Sequence, residues 1–404
     1  MKQKILFVLI STMPMSYLHA AALDRSGQSI LPILQNGNYF EVGLNVLDPN
    51  VSGKINPDFN KGGLNTAANM ETGNIANSYY FPSAALKLQL TDHIATSFLY
   101  DHPFGADAGY TKKEFDVYTQ GNENSESEVT TQSLSTIISV QTDDKFTLFA
   151  GPVIQTVKGT SRLRGAGYNW IKYDMSAPTT TGYGWLAGLA YSIPEIALQA
   201  ALTYRSEIDH DLDMREQVSI LNPMNPALGY VDLGSSTLES TVTTPKSINL
   251  DFQTGVMPNT VIFANLRWVD WSNFNISPRR LSDLTTQMTG KPVALAAYSD
   301  DQISANLGIG RKFNEHWGGS FAIGWDSGAG NPVTTLGPTE GYKSVGLGAK
   351  YSPAPHYNIS FGAKYFWLGD AKAQSGFDFG TEKYDAVYKN NHAMAYGIKV
   401  GYHF

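Results

Sequence analysis

The chain contains no cysteine among its 404 residues, which excludes cysteine nucleophiles, thiolate metal ligands and disulfides. Charged residues are also scarce, at 16%, and the net charge of −7 gives no basic surface for nucleic acid. Long apolar runs are missing too, because no segment beyond residue 22 approaches the ~18 uncharged apolar residues that a membrane-spanning helix needs. Glycine (38 residues) and aromatic residues (12%) are plentiful instead, a mixture that suits a β-protein in contact with lipid.

The N-terminus has the composition of a secretory signal peptide. Lys2 and Lys4 precede the apolar run 5–10, which is too short to span a bilayer, and the small residues at 20–22 offer cleavage sites. We therefore assign residues 1–22 to a signal peptide and expect an exported chain. An exported chain without a spanning helix can still cross a membrane as a closed β-barrel.

Apolar and small or polar residues alternate with the two-residue period of a β-strand. At the C-terminus Tyr396, Ile398 and Val400 alternate with glycine and lysine, and the chain ends on Phe404, as outer-membrane barrels typically do. An upstream segment repeats the pattern and places Lys364 on the inner face. In water such stripes would need helices to cover them, whereas in lipid they form the outward band of a barrel with a polar lumen.

The connections between these segments alternate between short and long. The short ones are 91–93, 142–145, 193–195, 257–260, 314–316 and 353–356, and the long ones are 52–77, 106–127, 163–182, 211–238, 273–299, 327–341 and 372–393. Six tight turns and seven long loops predict about fourteen strands with both chain ends on the turn side, which is periplasmic in outer-membrane barrels. We therefore predict an all-β fold, a transmembrane antiparallel β-barrel over residues 39–404.

Three motifs carry a resemblance to a known family. They are Ala-Leu-Thr-Tyr-Arg-Ser-Glu at 201–207, Phe-Pro-Ser-Ala-Ala at 81–85 followed by Phe-Gly at 104–105, and the segment 263–274 with its Val-Asp-Trp-Ser-Asn-Phe end. In this order and spacing the chain resembles the long-chain fatty-acid transporters of the outer membrane, the FadL family, over residues 39–404. The resemblance implies a fourteen-stranded barrel, an N-terminal plug, and a hydrophobic ligand that is caught at the outer loops and leaves sideways at a kinked third strand.

The N-terminal segment departs from the family pattern. Family plugs are longer and contain an Asn-Pro-Ala turn, whereas only residues 23–38 precede the first strand here, without that turn. We expect a short plug segment, because its apolar cluster at 30–34 would gain nothing in a free periplasmic tail and its length suffices to cross a lumen. The departure leaves plug-mediated gating open.

The predicted third strand contains Pro103 and Gly105 on either side of Phe104. Proline cannot donate to the ladder and glycine weakens a strand, so the pair favours a break in pairing. We assign Pro103, Phe104 and Gly105 to a lateral opening. The alternative is that Pro103 only marks where the strand leaves the membrane.

A fatty acid needs a cation or hydrogen-bond donors for its carboxylate and an apolar groove for its tail. Lys158, Arg162 and Arg205 are the candidate carboxylate ligands, and Lys158 lies nearest to the position of a family head-group arginine. Arg205 could instead form a lumen ion pair with Glu207, and the loop cations could be solvated or bind lipopolysaccharide phosphates.

The apolar capture surface is predicted on two outer loops. Residues 214–221 have helical spacing of apolar side chains, and residues 170–173 of the preceding long loop are largely apolar. The assigned residues are Trp170, Ile171, Tyr173, Met214, Val218 and Leu221. Loops that pack on each other to close the barrel mouth would explain the same residues. The tryptophans at 268, 271, 325 and 367 are assigned to an interfacial girdle or to loop bases.

The sequence therefore predicts an outer-membrane transporter of hydrophobic small molecules, with long-chain fatty acids preferred, and not an enzyme. We expect a monomer that contacts outer-membrane lipid and lipopolysaccharide, with no cofactor, metal or catalytic residue and no nucleic-acid partner. A general diffusion porin and an aromatic-hydrocarbon channel remain alternatives. An outer-membrane hydrolase would need a Ser–His pair, and Ser192 beside a turn has none in the sequence.

Overall fold

The structure is a computed structural model that describes residues 22–64, 67–111, 116–142 and 145–404. The predicted signal peptide, apart from Ala22, lies outside the described residues. The barrel strands are β1 (Tyr39–Asn50), β2 (Tyr79–Gln89), β3 (Ile94–Asp101 and Gly105–Gly109), β4 (Glu126–Gln141), β5 (Phe146–Leu163), β6 (Lys172–Ile193), β7 (Leu198–Arg205 and Ile208–Leu221), β8 (Tyr230–Thr244 and Ser247–Met257), β9 (Thr260–Val269), β10 (Gln302–Lys312), β11 (Trp317–Asp326), β12 (Tyr342–Ala354), β13 (Tyr357–Leu368) and β14 (His392–His403). Because β14 pairs with β1 from Tyr39↔His403 to Asn50↔His392, the sheet closes on itself and the predicted fourteen-stranded antiparallel barrel is confirmed.

The remaining elements belong to the connections and to the N-terminal segment. The α-helix α1 is Arg279–Thr289, and the 3-10 turns are Leu31–Leu34, Ala166–Tyr168, Pro194–Ile196, Pro226–Leu228 and Gly376–Asp378. A four-stranded loop sheet contains Gly53–Ile55, Ala386–Tyr388, Ala371–Gln374 and Val333–Thr334, and two small ribbons pair Asn275–Ile276 with Ala296–Ala297 and Thr119–Gln120 with Glu123–Asn124. Within the described ranges, no helix is both long enough and apolar enough to traverse a bilayer.

The alternation read from the sequence matches the two faces of the wall. Tyr396, Ile398 and Val400 are 40–49% exposed on the outside of β14, although each is a large apolar side chain. Lys364 is buried on the inside of β13, where its Nζ donates to Asn306 Oδ1 at 3.0 Å. Apolar side chains face outward because that surface contacts hydrocarbon, and polar side chains face the lumen.

The six short turns and seven long connections alternate as predicted, but the connection 211–238 is an extended hairpin. Ile208–Leu221 of β7 pairs with Tyr230–Thr244 of β8, so the helix predicted over 214–221 is wrong. Buried and exposed side chains alternate along this part of β7, with Leu212, Met214, Glu216 and Val218 inward. The buried Glu216 accepts from the backbone N–H groups of Arg280 and Leu281, where it stabilises the N-terminus of α1.

Residues 22–38, here called the N-terminal segment, lie in the lumen. Ile30 and Ile33 pack in one apolar cluster with wall residues of β2 to β7, near the end with the short turns. Leu23 belongs to a second, larger cluster formed mainly by the long connections at the opposite end. The segment therefore extends along the barrel interior between two apolar layers.

Candidate functional site

The wall is interrupted between β2 and β3. These strands pair only from Ala84↔Tyr100 to Gln89↔Ala95, although β2 continues to Tyr79 alongside β1. Beyond the unpaired stretch, the connection 75–77 closes against β3, because Asn77 N–H donates to Asp107 O at 3.1 Å and Gly109 N–H to Ile75 O at 2.8 Å. We call the unpaired stretch between residues 79–83 and 102–106 the window.

The three residues predicted for a lateral opening form the break in β3. Asp101 pairs with Ser133 of β4 and Gly105 pairs with Thr130, so three residues of β3 oppose two of β4. Phe104 N–H donates to Thr131 Oγ1 at 2.8 Å, and that hydroxyl donates to Phe104 O at 2.8 Å. The Thr131 side chain thus gives the Phe104 N–H an acceptor and adds a second donor to Phe104 O, which also accepts from Thr131 N–H at 3.2 Å. Backbone groups of a barrel wall in lipid require such partners.

The N-terminal segment completes the break from inside. Gly105 N–H donates to Leu23 O at 2.8 Å, and Arg25 N–H donates to Pro103 O at 2.9 Å. Residues 23–25 therefore pair with β3 as a short extra strand. Separating the segment from the wall would expose these backbone groups again.

An ion pair anchors the same segment to the opposite wall. Arg267 of β9 donates to the Asp24 carboxylate from Nε at 2.7 Å and from Nη2 at 3.3 Å, and both side chains are at most 1% exposed. Arg267 also donates to Gln28 Oε1 at 3.1 Å, and Asn249 donates to Gly27 O at 2.8 Å. The segment thus bridges the lumen from β3 to β8 and β9.

An apolar cavity lies above the segment, towards the long connections. Leu23 and Phe104 line it together with Met214, Trp271 and Phe274, and the polar residues of its described lining are Thr131, Lys158 and Thr244. The rings of Phe104 and Trp271 meet edge to face with centroids 5.5 Å apart. Such a cavity suits an apolar ligand or the tail of an amphipathic one.

A second, more polar cavity lies at the window. Pro82 and Tyr100 line it from β2 and β3, and Ser26 and Pro32 line it from the N-terminal segment. His102 also lines it, and its Nε2 lies 2.9 Å from the Tyr100 hydroxyl. The N-terminal segment therefore separates the apolar cavity from the window.

The three candidate carboxylate ligands occupy different surroundings. Lys158 is exposed and follows the buried Val157 on β5, so its side chain lies on the outer face of the wall. Arg162 is engaged by Glu126 at 3.0 Å and Asp174 at 3.2 Å. Lys158 thus lines the apolar cavity although its side chain is exposed, and Arg162 does not line it.

Arg205 points inward, as predicted, and donates from Nη2 to Gln28 O at 2.9 Å. The alternative ion pair with Glu207 is wrong, because Glu207 is exposed while Arg205 is buried. The strand is interrupted at residues 206–207, so the two side chains do not share a face. Arg205 lines the cavity at the window.

The predicted apolar residues lie mainly in the packed layer under the long connections. Ile171, Tyr173, Met214 and Val218 are buried in one cluster, and Trp170 packs against it. Met214 is the one of the six predicted residues that lines the apolar cavity. The others fit the alternative in which the loops pack on each other to close the barrel mouth; Leu221 is half-buried near the tip of the hairpin.

Sequence reasoning missed Asp24, Arg25, Arg267 and the role of Trp271. Trp271 is fully buried just after the end of β9 and donates from Nε1 to Gln302 Oε1 at 2.7 Å, so it fits the loop-base alternative and not the girdle. Trp325 and Trp367 are exposed, as a girdle requires. The run Val-Asp-Trp-Ser-Asn-Phe that contains Trp271 was the available signal. No group of three or more His, Asp or Glu side chains in the described ranges has a geometry for a metal ion.

Comparisons with known proteins agree with this architecture. A structure described as a Pseudomonas aeruginosa FadL homologue superposes with a TM-score of 0.68 at 12% identity, covering 95% of both chains. The P. putida toluene transporter TodX gives 0.62 at 12% identity over 92% of this chain and 91% of its own, and the Ralstonia pickettii toluene transporter TbuX gives 0.58 at 14% identity over 98% and 100%. No curated protein sequence matches. The family model described as outer membrane protein transport protein (OMPP1/FadL/TodX) matches residues 30–404, so the chain belongs to this family of outer-membrane transport proteins.

Proposed function

We propose that the protein carries long-chain fatty acids inward across the outer membrane and releases them sideways through the window. The observation that carries the proposal is the order of features along the barrel. The apolar cavity lies under the long connections, the N-terminal segment forms its floor, and the strands β2 and β3 are unpaired beside that floor. An apolar molecule that passed the segment would meet lipid at the window and would not need to cross the polar lumen.

Capture is assigned to the apolar cavity. A fatty-acid tail placed among Phe104, Met214 and Trp271 would leave water for an entirely apolar surface, which contributes about 25 cal/mol per Å² of apolar area. Phe104 belongs at once to this cavity and to the break in β3. A ligand that displaces its ring therefore acts directly on the pairing that closes the window.

Release requires the N-terminal segment to separate from β3. Only two backbone hydrogen bonds, from Gly105 and Arg25, join the segment to the break within the described residues. We infer that residues 23–38 act as a plug, because they bridge the lumen and a diffusion porin would need that path open. The window cavity then receives the acid end beside polar side chains such as Ser26 and Arg205.

A neutral aromatic hydrocarbon is the second candidate substrate. The edge-to-face contacts among Phe104, Trp271 and Phe274 provide ring partners. Among the described residues that line the apolar cavity, the one cation is Lys158, and it is exposed. Two of the similar structures are described as toluene transporters. The two substrates differ in one respect that can be tested, since only the fatty acid brings a carboxylate to the window.

The setting of the barrel is part of the same proposal. Residues 1–22 would direct export, both termini and the short turns would face the periplasm, and the long connections would face outward. The outer-face cations, Lys158 among them, would contact lipid or lipopolysaccharide phosphates around a monomer.

The proposal is tested by ligand competition on the purified protein. Binding of a long-chain fatty acid, its methyl ester and an alkylbenzene is followed by tryptophan fluorescence, because Trp271 lines the cavity. Ala177→Phe fills the cavity from β6 and should weaken binding about tenfold or more, whereas Ala187→Phe on the outer face of β6 should not. Binding of the alkylbenzene but not of the fatty acid would replace the first candidate by the second.

A further inference from the structure

Arg25 is buried inside the window without full hydrogen bonding. Arg25 is 6% exposed, and its Cζ lies 3.7 Å from the centroid of the Tyr79 ring of β2. On the other side it contacts β3 at Gly105, where an added Cβ would lie 2.6 Å from Arg25 Cζ. The guanidinium therefore fills the space between the two edges of the wall.

Two of its donors lack partners. Arg25 Nε and Nη2 are inaccessible to solvent and make no hydrogen bond with any described residue. The acids that act on this charge are Asp107 and Glu128. The Asp107 carboxylate accepts from Asn77 Nδ2 at 2.7 Å, and Glu128 is exposed. Neither carboxylate accepts a hydrogen bond from Arg25 Nε or Nη2. Burial of an unpaired charged group is costly, which makes its retention unusual.

Two other arginines show what the edge formed by Nε and Nη2 binds elsewhere in the barrel. Arg267 uses Nε and Nη2 together to hold the Asp24 carboxylate. Arg164 donates from Nε to Glu123 at 2.9 Å and from Nη2 to Asp174 at 2.7 Å. In both cases the Nε–Nη2 edge, whose two parallel donors match a carboxylate, is satisfied by acids of the chain.

The residues on either side of Arg25 line two different cavities. Asp24, its neighbour on one side, lines a cavity with Tyr79 and Gly105, and Ser26, its neighbour on the other side, lines the window cavity. We propose that Arg25 binds the carboxylate of the amphipathic substrate at the window and so selects acids over neutral hydrocarbons. This inference rests on the proposed function, and it assigns a buried head-group residue outside the apolar cavity.

The experiment compares the binding of a long-chain fatty acid with that of its uncharged methyl ester. Affinities of a long-chain fatty acid and its methyl ester are measured in a nonionic detergent for the wild type, Arg25→Gln, Arg25→Lys and Arg311→Gln. Arg25→Gln should weaken acid binding about tenfold and leave the ester nearly unchanged, because only the acid loses a charge-assisted hydrogen bond. Arg25→Lys should fall between, since it keeps the charge but not the paired donors, and Arg311→Gln, an exposed cation on β10, should match the wild type.

The possible outcomes distinguish the role of Arg25 from the fatty-acid function on which it rests. If the wild type binds both ligands and Arg25→Gln weakens them equally or not at all, the role of Arg25 is overturned while the fatty-acid function stands. If the wild type binds neither, both fail. Should Arg25→Gln not fold, the acid-to-ester ratio of Arg25→Lys decides, and an unchanged ratio overturns the proposal. Phosphatidylglycerol is added in a separate arm, because displacement of the fatty acid from the wild type alone would assign the site to a lipid phosphate instead.

Discussion

Two parts of the barrel wall differ in how completely their strands are paired. Between β9 and β10 ten residue pairs run from Thr260 to Val269 without a register shift, whereas only six pairs join β2 to β3. In hydrocarbon an unsatisfied backbone group costs several kcal/mol, so a regular wall is the default for a barrel. The irregular wall persists because Thr131 and the N-terminal segment supply the missing partners. The proposed passage lies where the wall depends on the N-terminal segment for these hydrogen-bond partners.

The largest effect should come from breaking the ion pair that anchors the N-terminal segment. Arg267→Met leaves the fully buried Asp24 without its partner, a change that costs about 3–5 kcal/mol when a buried pair is broken. We expect the N-terminal segment to detach, so that amide hydrogen exchange of residues 24–35 rises about a hundredfold. Exchange in β9 and β10 should stay slow.

A double variant controls this prediction. Asp24→Leu combined with Arg267→Met replaces the buried pair by apolar side chains, which is often neutral for stability. It should restore slow exchange in the segment. Slow exchange in the single variant would show that the ion pair does not hold the segment in place.

A smaller effect is expected from a methyl group inside the window. In Gly105→Ala the new Cβ would lie 2.6 Å from Arg25 Cζ and 2.7 Å from Val129 O, so neighbouring atoms must shift, at a cost of roughly 1–3 kcal/mol. In Gly109→Ala, on the same segment of β3, the nearest atom is 3.6 Å away and the change should lie within about 0.5 kcal/mol. Unfolding in denaturant measures both, and equal midpoints would mean that the window is loosely packed.

The smallest effect concerns pH at the long connections. Burial near Asp326 and Asp300 raises the pKa of Glu340 to about 7, although Gly330 N–H donates to its Oε1 at 3.1 Å. A raised carboxyl pKa favours the packed loop at low pH, and this contribution is lost as pH rises through about 7. Hydrogen exchange in residues 328–341, corrected for intrinsic rates, should increase on the order of tenfold or less between pH 5.5 and pH 8. Glu340→Gln should remove the dependence, and its persistence would assign it to another group.

Local periodicity predicted the barrel because each strand faces lipid on one side and the lumen on the other. The outward Tyr396 and the inward Lys364 needed no knowledge of distant residues. The same parity places Lys158 outside, next to the inward Val157, whereas the resemblance to a family arginine predicts a ligand-binding role for it. The hairpin at 211–238 was missed because the buried Glu216 has its partner on α1, about sixty residues away.

The site was predictable only in part. Pro103 and Gly105 identified the break in β3, since their effect on pairing is local. Arg25 could not be identified, because its significance depends on a register in which residues 23–25 meet Phe104 across the lumen. Long-range pairing of a short segment leaves no periodic signal in the sequence.

The lateral passage itself can be tested with a reversible lock, since the chain has no cysteine of its own. Pro82→Cys with His102→Cys places two thiols on the facing edges of the window, continuing the register of Ala84↔Tyr100. Leu307→Cys with Ile323→Cys forms the matched lock between β10 and β11 in the regular wall. Cells with the oxidised window lock should lose fatty-acid uptake and regain it on reduction, while the control lock leaves uptake unchanged. Full uptake through an oxidised window lock, with the disulfide verified on gels, would contradict release through the wall.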